Sequence, residues 1–238
     1  MLLEAKKISK KFPGVQALSN VDFDLRPGEV HAIIGENGAG KSTLMHILAG
    51  IYKHDEGKFL INGEEVILNS FQKAKNNGIS IVFQERSLFP NLSIAENIFG
   101  SNPPKNKNIF FQIDWNKLSF LAQSYLNKLN ITLNQKDLVS ELSVARQQMI
   151  EIAKAISNDF KILILDEPTS SITLQETKIL FELINQFKSD GRSIIYISHR
   201  LKEIKQIADR ATVLKDGQYV GTFDVTKVST DFLVTKML

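Results

Sequence analysis

The sequence has no cysteine, so disulfides, zinc–thiolate centres and thiol nucleophiles are excluded, which is compatible with a reducing compartment. It also lacks long apolar runs. The longest, such as Ile162 to Leu165 and Ile194 to Ile197, are strand-sized, far short of the roughly 18 residues a spanning helix needs. No charged N-terminal segment leads into an apolar stretch and a small-residue cleavage site, so no export signal is expected and the cytosol is the default location. Charge of one sign is missing as well. The 29 basic residues are interspersed with 26 acidic ones for a formal net charge of +3, which argues against a nucleic-acid partner. The densest basic patch, Lys6, Lys7, Lys10 and Lys11, reads as a solvated face. No internal repeat or low-complexity tract is present. What is there is 238 residues with 43% hydrophobic content, enough for one core or for one domain carrying an inserted subdomain.

Val21, Phe23 and Leu25 alternate with Asp22 and Asp24, a half-buried strand ending at Pro27-Gly28. Val30 to Ile34 reads as a buried strand running directly into Gly35. Asn62-Gly63 and Asp216-Gly217 are two-residue hairpin signals, and they put antiparallel strands at both ends of the chain. Strand-like segments at Ile79 to Phe83, Ile162 to Leu165, Ile194 to Ser198 and Ala211 to Leu214 alternate with helical patterns. That alternation predicts an α/β fold with a mainly parallel sheet. Thr173 to Glu176 is a capping box that opens a helix with Leu180, Leu183, Ile184 and Phe187 on one face, and Gly191 lies past its end. Between residues 86 and 156 strand signals give way to helical ones. Ser93 to Glu96 is a second capping box, and Leu118, Leu121, Ala122, Tyr125 and Leu129 form an apolar stripe after an N-cap at Asp114. The expected organisation is a core of residues 1–85 and 157–238 with an inserted helical subdomain at 86–156.

Gly35-Glu36-Asn37-Gly38-Ala39-Gly40-Lys41-Ser42-Thr43 matches G-x-x-x-x-G-K-[ST], after an apolar strand and before the helical run Leu44 to Ala49. Glycines let the backbone wrap close to phosphates, so that successive N–H groups and a helix N-terminus face the anion. Lys41 is expected to bridge the β- and γ-phosphates of ATP, and Ser42 to offer its hydroxyl to Mg2+. Lys161 to Leu165 is a buried strand ending in Asp166 and Glu167, two carboxylates at the carboxyl edge of the sheet, where open α/β folds bind ligands. Asp166 is expected to hold magnesium and Glu167 to polarise the attacking water.

With these motifs in this order, the chain resembles the ABC ATPases over nearly its whole length, and the resemblance implies a P-loop NTPase core. It assigns Gln84 to the glutamine loop, contacting magnesium and sensing the transport partner. His199 is assigned to the switch histidine at the γ-phosphate, and Phe12 to the aromatic that stacks on adenine. Leu142-Ser143-Val144-Ala145-Arg146-Gln147-Gln148 stands where L-S-G-G-Q is usual. In the family, that helix end binds the γ-phosphate held by the opposite domain, so Ser143 is expected to act in trans. Val144 and Ala145 replace glycines, and Ser170-Ser171-Ile172-Thr173 stands where many members place Asp.

These departures resemble the monosaccharide-importer branch, as do Phe12 to Leu18, Pro90 to Ile98 and Tyr196 to Arg200. Members of that branch usually carry two ATPase copies, and Asp231 to Leu238 resembles the end of the first. The resemblance implies a motor subunit on the cytoplasmic face of the membrane. Its partners would be a second nucleotide-binding domain (homodimer or tandem copy), transmembrane permease subunits and, indirectly, a periplasmic or lipoprotein solute-binding protein. A soluble ABC ATPase of the DNA-repair or translation type is the alternative, although residues 86–156 lack the coiled-coil or basic arm such a protein needs. A P-loop phosphotransferase would leave Leu142 to Gln148 and His199 unexplained.

Overall fold

The computed structural model describes residues 1–83, 87–106 and 112–238. By its internal contacts the chain divides into two compact units, one formed by residues 1–81, 160–167 and 184–238 and the other by residues 82–159 and 168–183.

The first unit holds two sheets. β1 (Leu3–Phe12), β2 (Val15–Leu25), β4 (Glu56–Ile61) and β5 (Glu64–Val66) form an antiparallel sheet in the order β2-β1-β4-β5. The basic patch lies on β1, where Lys6, Lys7 and Lys11 are exposed as expected, whereas Lys10, paired with Asp55, keeps only 15% side-chain exposure. Asn62 and Gly63 both take positive φ (53° and 85°) between β4 and β5, the requirement of a tight two-residue hairpin.

The second sheet has the order β10-β9-β3-β8-β7-β6. Its strands are β3 (Val30–Ile34), β6 (Ile79–Val82), β7 (Ile162–Asp166), β8 (Ser193–Ile197), β9 (Arg210–Lys215) and β10 (Gln218–Asp224). β3 runs parallel to β8 and β9, and β7 parallel to β8, while β10 returns antiparallel through the Asp216-Gly217 turn. Every residue of β3, β7 and β8 is buried. Strands covered on both faces read as uninterrupted apolar runs, which is why they were legible in the sequence. α1 (Lys41–Leu48), α2 (Phe71–Asn76), α7 (Leu201–Ile207) and α8 (Thr230–Met237) also belong to this unit.

In the second unit, the Ser93–Glu96 capping box opens α3 (Ile94–Phe99), with both reciprocal bonds formed. Asp114 caps α4 (Trp115–Lys128), and Ser143 caps α5 (Val144–Ile156). The stripe on α4 differs slightly from expectation. Leu118, Ala122, Leu126 and Leu129 are fully buried, and Leu126 takes the place anticipated for Tyr125; Tyr125 keeps its hydroxyl on the Ser157 carbonyl. An amphipathic tyrosine covers the core with its ring and leaves its polar end at the edge. α6 (Leu174–Ser189) begins at the Thr173/Glu176 box, and Gly191 (φ 78°) follows its end.

A partly buried ionic cluster ties the two sheets of the first unit. Arg210 on β9 donates to both carboxylate oxygens of Asp24 on β2 (2.7 and 2.8 Å) and to Glu29 (3.3 Å). His31 on β3 is fully buried beside them, with Nε2 2.7 Å from the Thr212 hydroxyl. The Arg210 bonds hold the Asp24 carboxyl below its usual range, whereas burial raises that of Glu29. Burial first, then the nearby Arg210 charge, pushes the His31 pKa from 6.5 down to about 3. In acid the unfolded chain takes up a proton at this ring that the folded chain refuses until about pH 3. His31 therefore contributes stability that is complete above pH 6.5 and is lost as the pH falls towards 3. Thermal unfolding between pH 7 and pH 4 is expected to show a steeper loss of Tm for the wild type than for His31→Gln. Equal slopes would remove His31 as the acid-sensitive group.

Candidate functional site

The loop between β3 and α1 is built around two close approaches. A Cβ on Gly35 would lie 2.3 Å from the Leu214 carbonyl oxygen, a backbone atom that cannot move aside. At Gly40, φ is 96°, and a Cβ would meet Leu18 at 2.7 Å and the Ala17 carbonyl at 2.8 Å. Only glycine fits at either place. The intervening Glu36, Asn37 and Gly38 are exposed and Ala39 is buried against the fold, so the loop presents its middle outward and anchors its ends. Gly40 is also the N-cap of α1 and makes no side-chain cap bond. The first N–H groups of that helix are thus left for a ligand, beside an exposed Ser42 and a half-buried Thr43.

Lys41 is buried, yet its ammonium reaches back across the loop to the carbonyls of Gly35 (2.9 Å) and Glu36 (2.8 Å). Burial lowers its pKa, and the charges of Glu167 and Asp166 oppose that shift. The loop is folded around the Lys41 ammonium.

Asp166 ends β7 as a buried side chain. Its pKa is raised to about 6, first by burial and next by the neighbouring Glu167 charge, with Lys41 pulling the other way. A carboxylate held in such a state gains most from a cation. Glu167 follows with φ 44°, left-handed backbone that a non-glycine residue adopts only where its surroundings enforce it. Here its N–H donates to the Ile197 carbonyl of β8 at 2.9 Å, which fixes the side chain at the strand edge. Its Oε1 lies 2.9 Å from Nδ1 of His199. A carboxylate can only accept, so Nδ1 carries the proton and Nε2 is left for another partner. Glu167 is mostly covered, with 17% side-chain exposure, whereas His199 stands out at 56%.

Phe12 ends β1 half-buried, 5.3 Å and edge-on to Tyr52, which in turn meets His46 of α1 at 5.0 Å. The aromatic is thereby linked to the helix that follows the loop. In the second unit, Ser143 is exposed at the start of α5, its hydroxyl accepting from the Arg146 N–H (3.4 Å), and Val144 and Arg146 are exposed beside it. Gln147 bonds back to the carbonyls of Val139 and Leu142. Gln84 lies outside the described residues.

Glu203 escaped the sequence reading. It is a buried carboxylate at the first turn of α7 that gathers Tyr196, Ser198 and Arg200 around the segment bearing His199. A signal was available, because Glu203 stands four residues after His199 on the buried face of a short helix, where an unpaired carboxylate would be untenable.

Fold and loop together define an α/β protein of the P-loop NTPase class. The family model described as ABC transporter matches residues 18–170, and the chain belongs to that family. A protein of Agrobacterium fabrum, provisionally named as a ribose, galactose or methyl galactoside import ATP-binding protein, is 50% identical over all of this chain and 46% of its own length. The ribose import ATP-binding protein of Rhodopirellula baltica is 45% identical over 100% of this chain and 46% of its own. The chain thus spans about half the length of the curated relatives it matches. Among solved structures, a nucleotide-free ATP-binding cassette from an ABC transporter superposes with a TM-score of 0.80 at 26% identity, covering 94% of this chain and 91% of that one. A dimeric cassette in a post-hydrolysis state, bound to ADP and phosphate, gives 0.80 at 23% identity over 94% and 98% of the two chains, a likeness of fold. Among the described residues no helix is long and apolar enough to cross a membrane.

Proposed function

We propose that this chain is an ATP-binding and hydrolysing motor domain of an ABC importer for a monosaccharide or related small solute. The observation that carries the reading is the convergence of Lys41, Asp166, Glu167 and His199 in one unit, with Glu167 and His199 bonded to each other. The names of the relatives support the importer branch, and their spread over several sugars leaves the solute to other components.

In this reading the loop N–H groups and Lys41 hold the triphosphate, and Phe12 offers a face to adenine. Glu167 takes a proton from the attacking water, and His199, oriented through Nδ1, turns Nε2 towards the γ-phosphate. Gln84 senses the permease. Ser42 and Asp166 would hold Mg2+, with Gln84 as a further ligand. Such an ion takes one or two carboxylates from the protein and completes its shell with other oxygens, phosphate and water. Bound there, Mg2+ would neutralise charge on the β- and γ-phosphates.

Ser143 and the start of α5 serve the ATP of an opposite domain. A second nucleotide-binding domain, as a homodimer or tandem copy, is therefore a required partner, with residues 86–156 as the inserted helical subdomain. Permease subunits would hold the assembly on the cytoplasmic face of the membrane, and a solute-binding protein would act through them.

Specific ATPase activity is expected to rise with protein concentration through the range in which the domains associate. An activity independent of concentration there would overturn the requirement for a second domain.

A further inference from the structure

His199 is exposed and sits in the short link between β8 and α7, so its place must be imposed by its neighbours. Those neighbours converge on one side chain. Glu203, on the buried side of α7, accepts through Oε2 from the Tyr196 hydroxyl of β8 (2.7 Å) and from the Ser198 hydroxyl (3.2 Å), while Arg200 reaches Oε1 at 3.3 Å. The Ser198 oxygen also accepts from the Arg200 N–H at 3.0 Å. A serine hydroxyl has a single proton. With that proton committed to Glu203, its lone pairs are turned to Arg200, closing a small ring of bonds across the backbone of His199.

We propose that Glu203 is a positioning residue for His199. It fixes the two flanking residues so that the imidazole meets Glu167 at 2.9 Å with Nε2 outward. A buried carboxylate that merely satisfied stray donors could draw them from anywhere in the core. Here two donors are the residues immediately before and after His199, and another stands on the strand that leads to it. The inference rests on the reading of His199 as a γ-phosphate contact, and it adds a second carboxylate to the site. Glu167 orients the ring, whereas Glu203 orients the backbone that carries it.

The test combines turnover with a readout that does not need turnover. Glu203→Ala is expected to lower kcat by about tenfold or more while KM for ATP stays within about twofold, because small misplacements of a reacting group are costly to the chemical step alone. Glu203→Gln should recover most of the loss, since its amide oxygen can still accept from both hydroxyls. In a His199→Ala background, Glu203→Ala should lower kcat no further, as expected of residues acting in one unit; an added tenfold loss there would assign Glu203 a general structural role and overturn the proposal. In nucleotide-free protein, the Nδ1 resonance of His199 should shift in both Ser198→Ala and Glu203→Ala, with His54, which packs edge-on against Phe59 of the antiparallel sheet, as the unmoved control. An unmoved His199 resonance in both would likewise overturn it. Should Glu203→Ala fail to melt cooperatively, Ser198→Ala carries the measurement, since it keeps the buried carboxylate. If the wild type itself shows no ATP turnover, the motor reading fails, and the resonances alone decide whether Glu203 positions His199.

Discussion

Glu167→Gln is expected to cut ATP turnover by about 10^2- to 10^4-fold, the range a positioned general base contributes, while leaving ATP affinity nearly unchanged. The amide matches the carboxylate in shape, and its oxygen can still accept from Nδ1 of His199, so the 2.9 Å contact need not be lost. What disappears is the basic oxygen. Binding rests instead on the loop and on Lys41, whose bonds to the Gly35 and Glu36 carbonyls do not involve Glu167. Phosphate release under steady-state conditions and retention of a fluorescent ATP analogue separate the two effects, because an interaction made only in the reaction lowers kcat without weakening binding. Turnover equal to the wild type would remove Glu167 as the base. The left-handed backbone at Glu167 sharpens the expectation. A strained residue is kept where its side chain must point in one direction, and glutamine inherits both strain and direction.

Lys41→Ala is expected to weaken ATP binding by about a hundredfold. Hydrogen bonds to charged groups are worth about 1.5–3 kcal/mol each, and losing one or two from the ammonium reaches about 3 kcal/mol, or two decades in Kd. The ammonium already spans the Gly35 and Glu36 carbonyls, so its removal also loosens the loop that must receive the phosphates. Removing its charge would raise the Asp166 carboxyl further, since Lys41 is the influence that lowers it. Calorimetric titration with Mg-ATP measures the loss directly, and an unchanged Kd would contradict the role given to Lys41. The two variants are complementary. Glu167→Gln should hold nucleotide and fail to use it, whereas Lys41→Ala should fail to hold it.

Much of the site was legible because its chemistry is local. Gly35 to Thr43 is one continuous segment between a strand and a helix, recognisable by its own spacing, although the close approaches that demand glycine at Gly35 and Gly40 come from Leu214, Leu18 and Ala17, far away in the chain. Asp166 and Glu167 could be read as strand-end carboxylates since β7 is uniformly apolar up to them. Hairpins at Asn62-Gly63 and Asp216-Gly217 and the capping boxes at Ser93 and Thr173 were equally readable, each being set by two to four adjacent residues. Less visible were features that depend on which strands become neighbours. β1 hides behind its lysines because one face is solvated and its register is broken by bulges at Ala5 to Lys11. The Asp24–Arg210 pair joins residues 186 positions apart, and no local pattern announces it.

The sequence by itself determined the loop, the strand that delivers it, the carboxylate pair and the helix starts, since propensity, periodicity, motif spacing and capping act over a few residues. Tertiary structure alone decided that β7 lies beside β8, which hands the Glu167 N–H to Ile197 and brings the carboxylate within bonding distance of His199. It also decided that Glu203 is buried among donors that flank His199, and that His31 is buried beside the Arg210 charge, which disfavours a second proton. Strand order sets those relations, and strand order follows from how the whole chain covers its core.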